Sequence, residues 1–485
     1  MPKGAGALFS IQMFSTLSFS VLYSTLVLYA TNGLKLSDAV STGITASFIA
    51  FNYALHLLGG YIGGRYLSYR VLFCIGMISQ IVGCIFLSFN TLTFFYWGLA
   101  TFLAGCGLNV TCINCMLTQL FKPQDKRREA AFLWNYSGMN VGFFVGFAVS
   151  GYFQLLGNYS TLFLLASLGN VIAVLITFFK WRLLNDINTR VAHLPKQKRK
   201  MATINGFMMI FILVFALRFL LEHAEVSNNL VMFVGVLMGF VMLTLAFQQP
   251  NKEKRNKILA YIVLALTSLV FWTLYQLAPM GLTLFIERNV DRHYLGWMIA
   301  PQWVQNINTI VIIIGGPVLS MIFSALRERG INMTIPLQFS VALILIGVAF
   351  AILPIGIYFS DLHGLSHFNW ILACFILQSI GELFISPIGY AMVGQFAPEH
   401  LQGLMMGTWL MITGVAATLS GYFSSIALGN SSSIDPIVTN SSFSYTFGLL
   451  GWIAIITGLL LIFLIPFILH LTQEKKLFVK AESTA

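Results

Sequence analysis

Apolar runs of about 20 residues or more recur from residue 7 to residue 471, separated by short polar or basic segments. A run of that length crosses roughly 30 Å of hydrocarbon as a helix. The pattern predicts fourteen spans, at 7–31, 41–66, 71–90, 94–121, 130–155, 159–180, 202–221, 227–248, 258–286, 302–325, 334–358, 368–396, 402–428 and 445–471. No ten-residue alternation of apolar and polar positions is present, which argues against an outer-membrane barrel. The expected fold class is an all-α membrane protein.

Composition agrees: of the 485 residues 58% are hydrophobic and only 9% are charged, far from the balance of a soluble domain. The net charge of +11 is a matter of placement. With the N-terminus in the cytoplasm, 23 of the 27 Lys and Arg fall on that side; Lys35, Arg288 and Arg292 lie outside, and Arg218 lies within a span. The positive-inside rule then puts both termini in the cytoplasm. Cations spread along membrane edges do not form the single basic face that nucleic acid requires, so no nucleic-acid partner is expected. The first apolar run is too long for a signal sequence and is read as a retained helix. The six cysteines all fall within spans and read as small packing residues.

Segment 181–201 is the most basic stretch and reads as a cytoplasmic linker, with Pro195 before the run Lys196 to Lys200. It divides an N-terminal six-helix bundle (1–180) from the rest. A peripheral two-helix insert (202–248), a C-terminal six-helix bundle (249–471) and a cytoplasmic tail (472–485) follow. Glycine and proline concentrate in the two bundles, as at Gly59-Gly60, Gly63-Gly64, Gly315-Gly316-Pro317 and Pro387. Small residues permit close helix approach and proline loosens the ladder, both suited to bundles that rock about a midplane site.

Glu382 is the one carboxylate set deep within a span. A charge there is costly enough that a pathway or proton-relay role is the default reading, with a hydrogen-bond clamp between helices as the structural alternative. Other polar groups share the apolar helices: Tyr136 and Asn140 four residues apart, Tyr275 and Gln276, Gln305 and Asn308, and Trp409. Aromatic rings, amides and one acid describe a small-molecule cavity better than an ion filter. No catalytic triad, phosphate loop, zinc spacing or carboxylate pair is evident, so neither an enzyme nor a metal site or cofactor is expected.

Three motifs carry a resemblance that runs over nearly the whole chain. The first is Phe121-Lys122-Pro123-Gln124-Asp125-Lys126-Arg127-Arg128-Glu129-Ala130-Ala131-Phe132, continuing through Tyr136 to Asn140-Val141-Gly142. The second is Gly381-Glu382-Leu383 with Ser386-Pro387 and the turn Ala397-Pro398. The third is Leu284-Phe285 to Asn289-Val290, followed by Gln305 and Asn308. The chain resembles the proton-dependent oligopeptide transporter family of the major facilitator superfamily, with the two-helix insert of its bacterial members. The resemblance implies the superfamily fold, a monomeric working unit, a bacterial inner membrane and symport of peptide with protons.

The departures are informative. The first-helix Glu-x-x-Glu-Arg motif of the family, tied to proton coupling and to the peptide carboxylate, falls on Gln12, Ser15 and Thr16. The fourth-helix lysine falls on Val110, and the acid of the turn between helices two and three falls on Gly64. The positions that resemble the pocket for the peptide's amino terminus are retained as Asn140, Asn308 and Glu382. Proton coupling then rests on Glu382, and the substrate-binding set comprises Glu382, Asn140, Asn308, Tyr136, Tyr275, Gln276, Gln305, Trp409, Gln12 and Thr16. The expected cargo is a small peptide or an amine-bearing, peptide-like compound lacking a carboxylate where peptides have theirs. Transport of a non-peptide metabolite or siderophore, or a receptor role without net transport, stays open.

Overall fold

The computed structural model describes residues 4–121, 125, 127–186, 189–330, 333–429 and 433–472. It is built from long helices: α1 (Ala5–Leu28), α2 (Asp38–Ile62), α3 (Tyr69–Leu87), α4 (Leu92–Gln119), α5 (Arg127–Leu155), α6 (Tyr159–Phe179), α7 (Lys196–Glu222), α8 (Ala224–Phe247), α9 (Lys252–Tyr275), α10 (Pro301–Glu328), α11 (Ile335–Ala351), α12 (Phe368–Phe396), α13 (Gln402–Leu428) and α14 (Pro436–Thr472). Among the described residues, 12 helical segments are long and apolar enough to cross a membrane, which makes this a multi-pass membrane protein. α2 and α5, at 25 and 29 residues, are as long but carry more polar side chains and fall outside that set. Polar caps start several helices: Asn158 accepts from the Thr161 N–H at 3.1 Å ahead of α6, and Asn251 from the Glu253 N–H at 2.8 Å ahead of α9.

The helices gather into two compact units, residues 1–228 with 300–306 and residues 229–299 with 307–485. In the first, α1 lies against α5 along a glycine stripe. A Cβ added at Gly138, Gly142 or Gly146 would stand 2.8 Å from the Phe9 carbonyl oxygen, 2.4 Å from that of Met13 and 1.7 Å from Ser20 Oγ. Spacing by four puts the three on one face, so the two backbones meet directly. α3 and α4 approach in the same way: a Cβ at Gly105 would lie 2.3 Å from the Gly76 oxygen, and one at Gly83 would lie 2.7 Å from the Gly98 oxygen. α7 belongs to this unit, Gly206 seating the Leu67 side chain. Lys196 to Lys200, expected in the linker, form the first turn of α7 instead.

In the second unit α11 and α14 cross at Gly347 and Gly451, each of which would place a Cβ 2.8 Å from the other's carbonyl oxygen. α9 ends in an irregular turn over Ala278–Leu282, with Met280 at φ −124°, ψ −107°, before a short helix at Thr283–Asn289. That segment pairs in parallel with a distant one, Val290 opposite Ser366 and Asp291 opposite His367. Asn289 Nδ2 donates to Thr439 Oγ1 at 2.8 Å and to Asn440 Oδ1 at 2.9 Å, and Asn440 Nδ2 donates to the Gly364 carbonyl at 2.7 Å. Phe285, Phe443 and Phe447 pack as rings beneath this clasp. α8 joins this unit, with Gly235 against Val415.

Candidate functional site

Glu382 sits in the middle of α12, five residues before Pro387, and is partly buried. Its Oε2 accepts from Asn308 Nδ2 of α10 at 2.7 Å, and the Tyr275 hydroxyl at the end of α9 is hydrogen-bonded to it as well. Asn308 Nδ2 also reaches Ser379 Oγ at 3.1 Å, one turn before Glu382 on the same face of α12. Three helices thus converge on one carboxyl group. An amide and a phenol donate to it, and no cation is bonded to it among the described residues. Such a group can hold a proton or a ligand's cation, because its existing partners are neutral.

Gln276 follows Tyr275 directly and is fully buried at the end of α9. Trp409 is also buried, its ring lying where a Cβ on Gly389 would come within 2.0 Å, and the Phe339 ring packs against it at a tilt of 55° with centroids 6.1 Å apart. Its contacts are those of a packing residue within the second unit. Gln305 belongs with the first unit, and its Nε2 has no hydrogen-bond partner among the described residues.

The first unit holds a different polar node. Gln12 Nε2 donates to Thr16 Oγ1 at 2.9 Å, and Asn135 Nδ2 donates to Gln12 Oε1 at 3.2 Å. Ser15 Oγ donates to the Gln12 carbonyl at 3.1 Å. All four are buried, and none carries charge. Asn140 is not part of this node: its Nδ2 donates to the Tyr136 carbonyl of its own helix at 2.9 Å. Tyr136 exposes about half its surface, at 47%, and Val110 is 37% exposed. Sequence reasoning named Gln12 and Thr16 and missed Asn135 and Ser379. Ser379 was signalled by its position three residues before Glu382, whereas Asn135 had only its adjacency to Tyr136. A polar cavity of about 450 Å³ in the same unit is lined by Asn32, Gly33, Asn90, Gln154, Gly157 and Tyr159, and by none of the candidate residues.

Gly64 leaves the turn before α3 without an acid, yet a carboxylate reaches the place from elsewhere in the chain. Asp186 Oδ2 accepts the Tyr69 N–H at 2.9 Å at the start of α3 and faces Thr189 Oγ1 at 3.4 Å, while the Val191 N–H donates to the Gly64 carbonyl at 2.9 Å. Burial pushes the Asp186 carboxyl above the usual carboxylate range. Arg70 bonds to the Trp181 carbonyl and stacks 4.4 Å above its ring. Of the charged signature, Lys122, Pro123, Gln124 and Lys126 lie outside the described residues. Asp125 pairs with Arg127 at 2.7 Å, and those bonds hold its carboxyl down at about 2.

Among the described residues no three His, Cys, Asp or Glu side chains gather as a metal site, and the six cysteines are free thiols. The POT family model matches residues 69–442. Dipeptide and tripeptide permease A of Cronobacter turicensis is 28% identical over 478 residues, 98% of this chain and 94% of the permease. The Escherichia coli permease of the same name is 28% identical, with 98% and 94% covered. A peptide transporter crystallised with sulfate superposes with a TM-score of 0.84 at 24% identity, covering 97% of this chain and 96% of its own. A POT family transporter in complex with 5-aminolevulinic acid gives 0.82 at 23% identity, covering 96% and 97%. The fold is that of these solved POT transporters.

Proposed function

Because the chain belongs to the POT family, we propose that it is an inner-membrane secondary transporter that moves a small peptide or an amine-bearing, peptide-like compound by alternating access, coupled to protons through Glu382. On this reading it works as a monomer with fourteen crossing helices and both termini in the cytoplasm. Both bacterial relatives are named for dipeptides and tripeptides, which supports a peptide-like cargo. The observation that carries the reading is a contrast of charge. Glu382 keeps a carboxyl group among neutral donors, whereas Gln12, Thr16 and Asn135 form a wholly neutral node. A carboxylate substrate group gains its strongest bonds from Arg or Lys, and none is present among Gln12, Ser15, Thr16 and Val110. The same absence keeps a non-peptide metabolite as the second reading. Uptake into proteoliposomes under an inward proton gradient tests the proposal, comparing unmodified dipeptides with their carboxy-amidated forms. Amidated or other amine-bearing compounds are expected to be carried at least as well. Strong transport of unmodified dipeptides that disappears on amidation overturns the substrate assignment, and absence of any flux overturns the transporter reading.

A further inference from the structure

Gln378 stands one helical turn before Glu382 on α12 and is only 2% exposed. Its Oε1 is buried and has no hydrogen-bond partner among the described residues. An amide in an apolar helix is ordinarily accounted for by a bond to a neighbouring helix, and a buried carbonyl left unmet destabilises the fold. No such bond accounts for this oxygen. Ser379, next along the chain, shows the contrast: its hydroxyl donates to the Phe375 carbonyl at 2.6 Å and accepts from Asn308 Nδ2 at 3.1 Å.

Helical register places the unmet oxygen beside the carboxyl group. Gln378 and Ser379 flank the direction of Glu382 at about 40° on one side and about 60° on the other. Helical side chains lean toward the N-terminus, so the Glu382 carboxyl lies over the turn that carries both. Asn308 takes the Ser379 side, bonding to Ser379 Oγ and to Glu382 Oε2. On the Gln378 side α9 forms the wall. A Cβ added at Gly381 would stand 3.2 Å from Phe271 Cε2, and the Phe271 ring stacks on that of Tyr275 with centroids 6.2 Å apart.

The balance of donors and acceptors then decides what fits. Asn308 and Tyr275 already donate to Glu382, and a carboxylate accepts about four hydrogen bonds, so about two places remain. A primary ammonium group brings three N–H donors and no acceptor. Two can go to Glu382, and the third needs an acceptor within the same turn. We infer that Gln378 Oε1 is this second acceptor for the substrate's ammonium group, so that the site selects a primary amine over a methylated amine of the same charge. The inference rests on the amine-bearing cargo proposed above and adds how many N–H groups that cargo must carry.

The test measures binding of alanyl-alaninamide to the full chain in vesicles, with its amino group free, dimethylated or trimethylated. At about pH 6 all three forms carry one positive charge. Wild type is expected to bind the free amine about tenfold to a hundredfold more tightly than the dimethyl form, the worth of one hydrogen bond to a charged group. The trimethyl form, with no N–H left for Glu382, should bind weakest. Gln378→Met keeps the length of the side chain but offers no carbonyl, and its preference for the free over the dimethyl amine should fall close to unity. Its unfolding midpoint without ligand should not drop, because the oxygen removed has no partner. A preference equal to that of wild type overturns the inference. So does a variant that is destabilised or fails to fold, since Gln378 would then be holding a helix and not a ligand. Wild type that binds the free and dimethyl forms alike, with both lost in Glu382→Gln, strikes Gln378 and leaves the amine reading standing. Wild type that binds none of the three overturns both.

Discussion

Replacing Glu382 with Gln changes charge at nearly constant shape, and the structure sets what should follow. Glu382 takes hydrogen bonds from Asn308, at 2.7 Å, and from Tyr275. A bond to an ionised group contributes about 1.5–3 kcal/mol and a neutral one about 0.5–1.5, so the change weakens the pair by roughly 2 kcal/mol when Glu382 is ionised. Against this, removing a charge from apolar surroundings relieves several kcal/mol of desolvation. The Glu382→Gln protein should therefore unfold no earlier than wild type. Transport should separate from stability. A proton gradient of one pH unit amounts to about 1.4 kcal/mol, a tenfold accumulation ratio for one proton per substrate molecule. Proteoliposomes with wild-type protein should approach that ratio under such a gradient, and the variant should stay near one. Exchange of labelled for unlabelled substrate, which needs no net proton movement, should persist in the variant if binding survives. A variant that folds and still accumulates substrate about tenfold removes Glu382 from coupling.

Much of the fold was legible because the spans are long, apolar and separated by polar turns. The runs at 159–180, 368–396 and 402–428 correspond to helices at Tyr159–Phe179, Phe368–Phe396 and Gln402–Leu428. The misplaced ends have physical causes. α7 starts at Lys196 because Pro195 precedes the straight-chain residues Lys, Gln and Arg, which are good helix formers outside as well as inside a membrane. α14 starts at Pro436, well before the apolar run at 445, because Thr439 and Asn440 spend their polar groups on Asn289 and Gly364. An apolar-run criterion cannot register polar residues whose partners lie in another helix.

The same distinction separates the parts of the site. Glu382 announced itself as an acid in a hydrophobic run, and Asn308 as an amide in another. Their meeting at 2.7 Å, and the arrival of Ser379 beside them, follow from how three helices pack. Asn135 lies 123 residues from Gln12, and Asp186 lies 117 from Tyr69, so neither pairing leaves a local trace. The loss of charge at Gln12, Ser15 and Thr16 was visible residue by residue, but the neutral bonds joining Gln12, Thr16 and Asn135 were not. The missing acid at Gly64 likewise gave no hint that Asp186 would reach the start of α3.

Two further outcomes follow from these pairings. Gln12→Leu and Asn135→Leu should each lower stability by about 1–3 kcal/mol, since each leaves a buried amide unpaired, while the double variant should cost less than their sum. Unfolding midpoints of the four proteins measure this, and strict additivity would mean that the 3.2 Å bond contributes nothing. Asp186 predicts a pH dependence of definite sign. Its carboxyl is raised above the ordinary value of 3.8 by burial, so the folded state holds that proton more tightly than the unfolded chain does. The contribution to stability is then fully present below pH 3.8 and is lost as pH rises through the folded-state value. Asp186→Asn has no proton to lose, and its Oδ1 can still accept the Tyr69 N–H. Wild type should therefore lose stability relative to Asp186→Asn as pH climbs from below 3.8 toward neutrality. A difference that grows in favour of wild type over that range would mean that the bonds from Tyr69 and Thr189, together with the field of Arg70, outweigh burial.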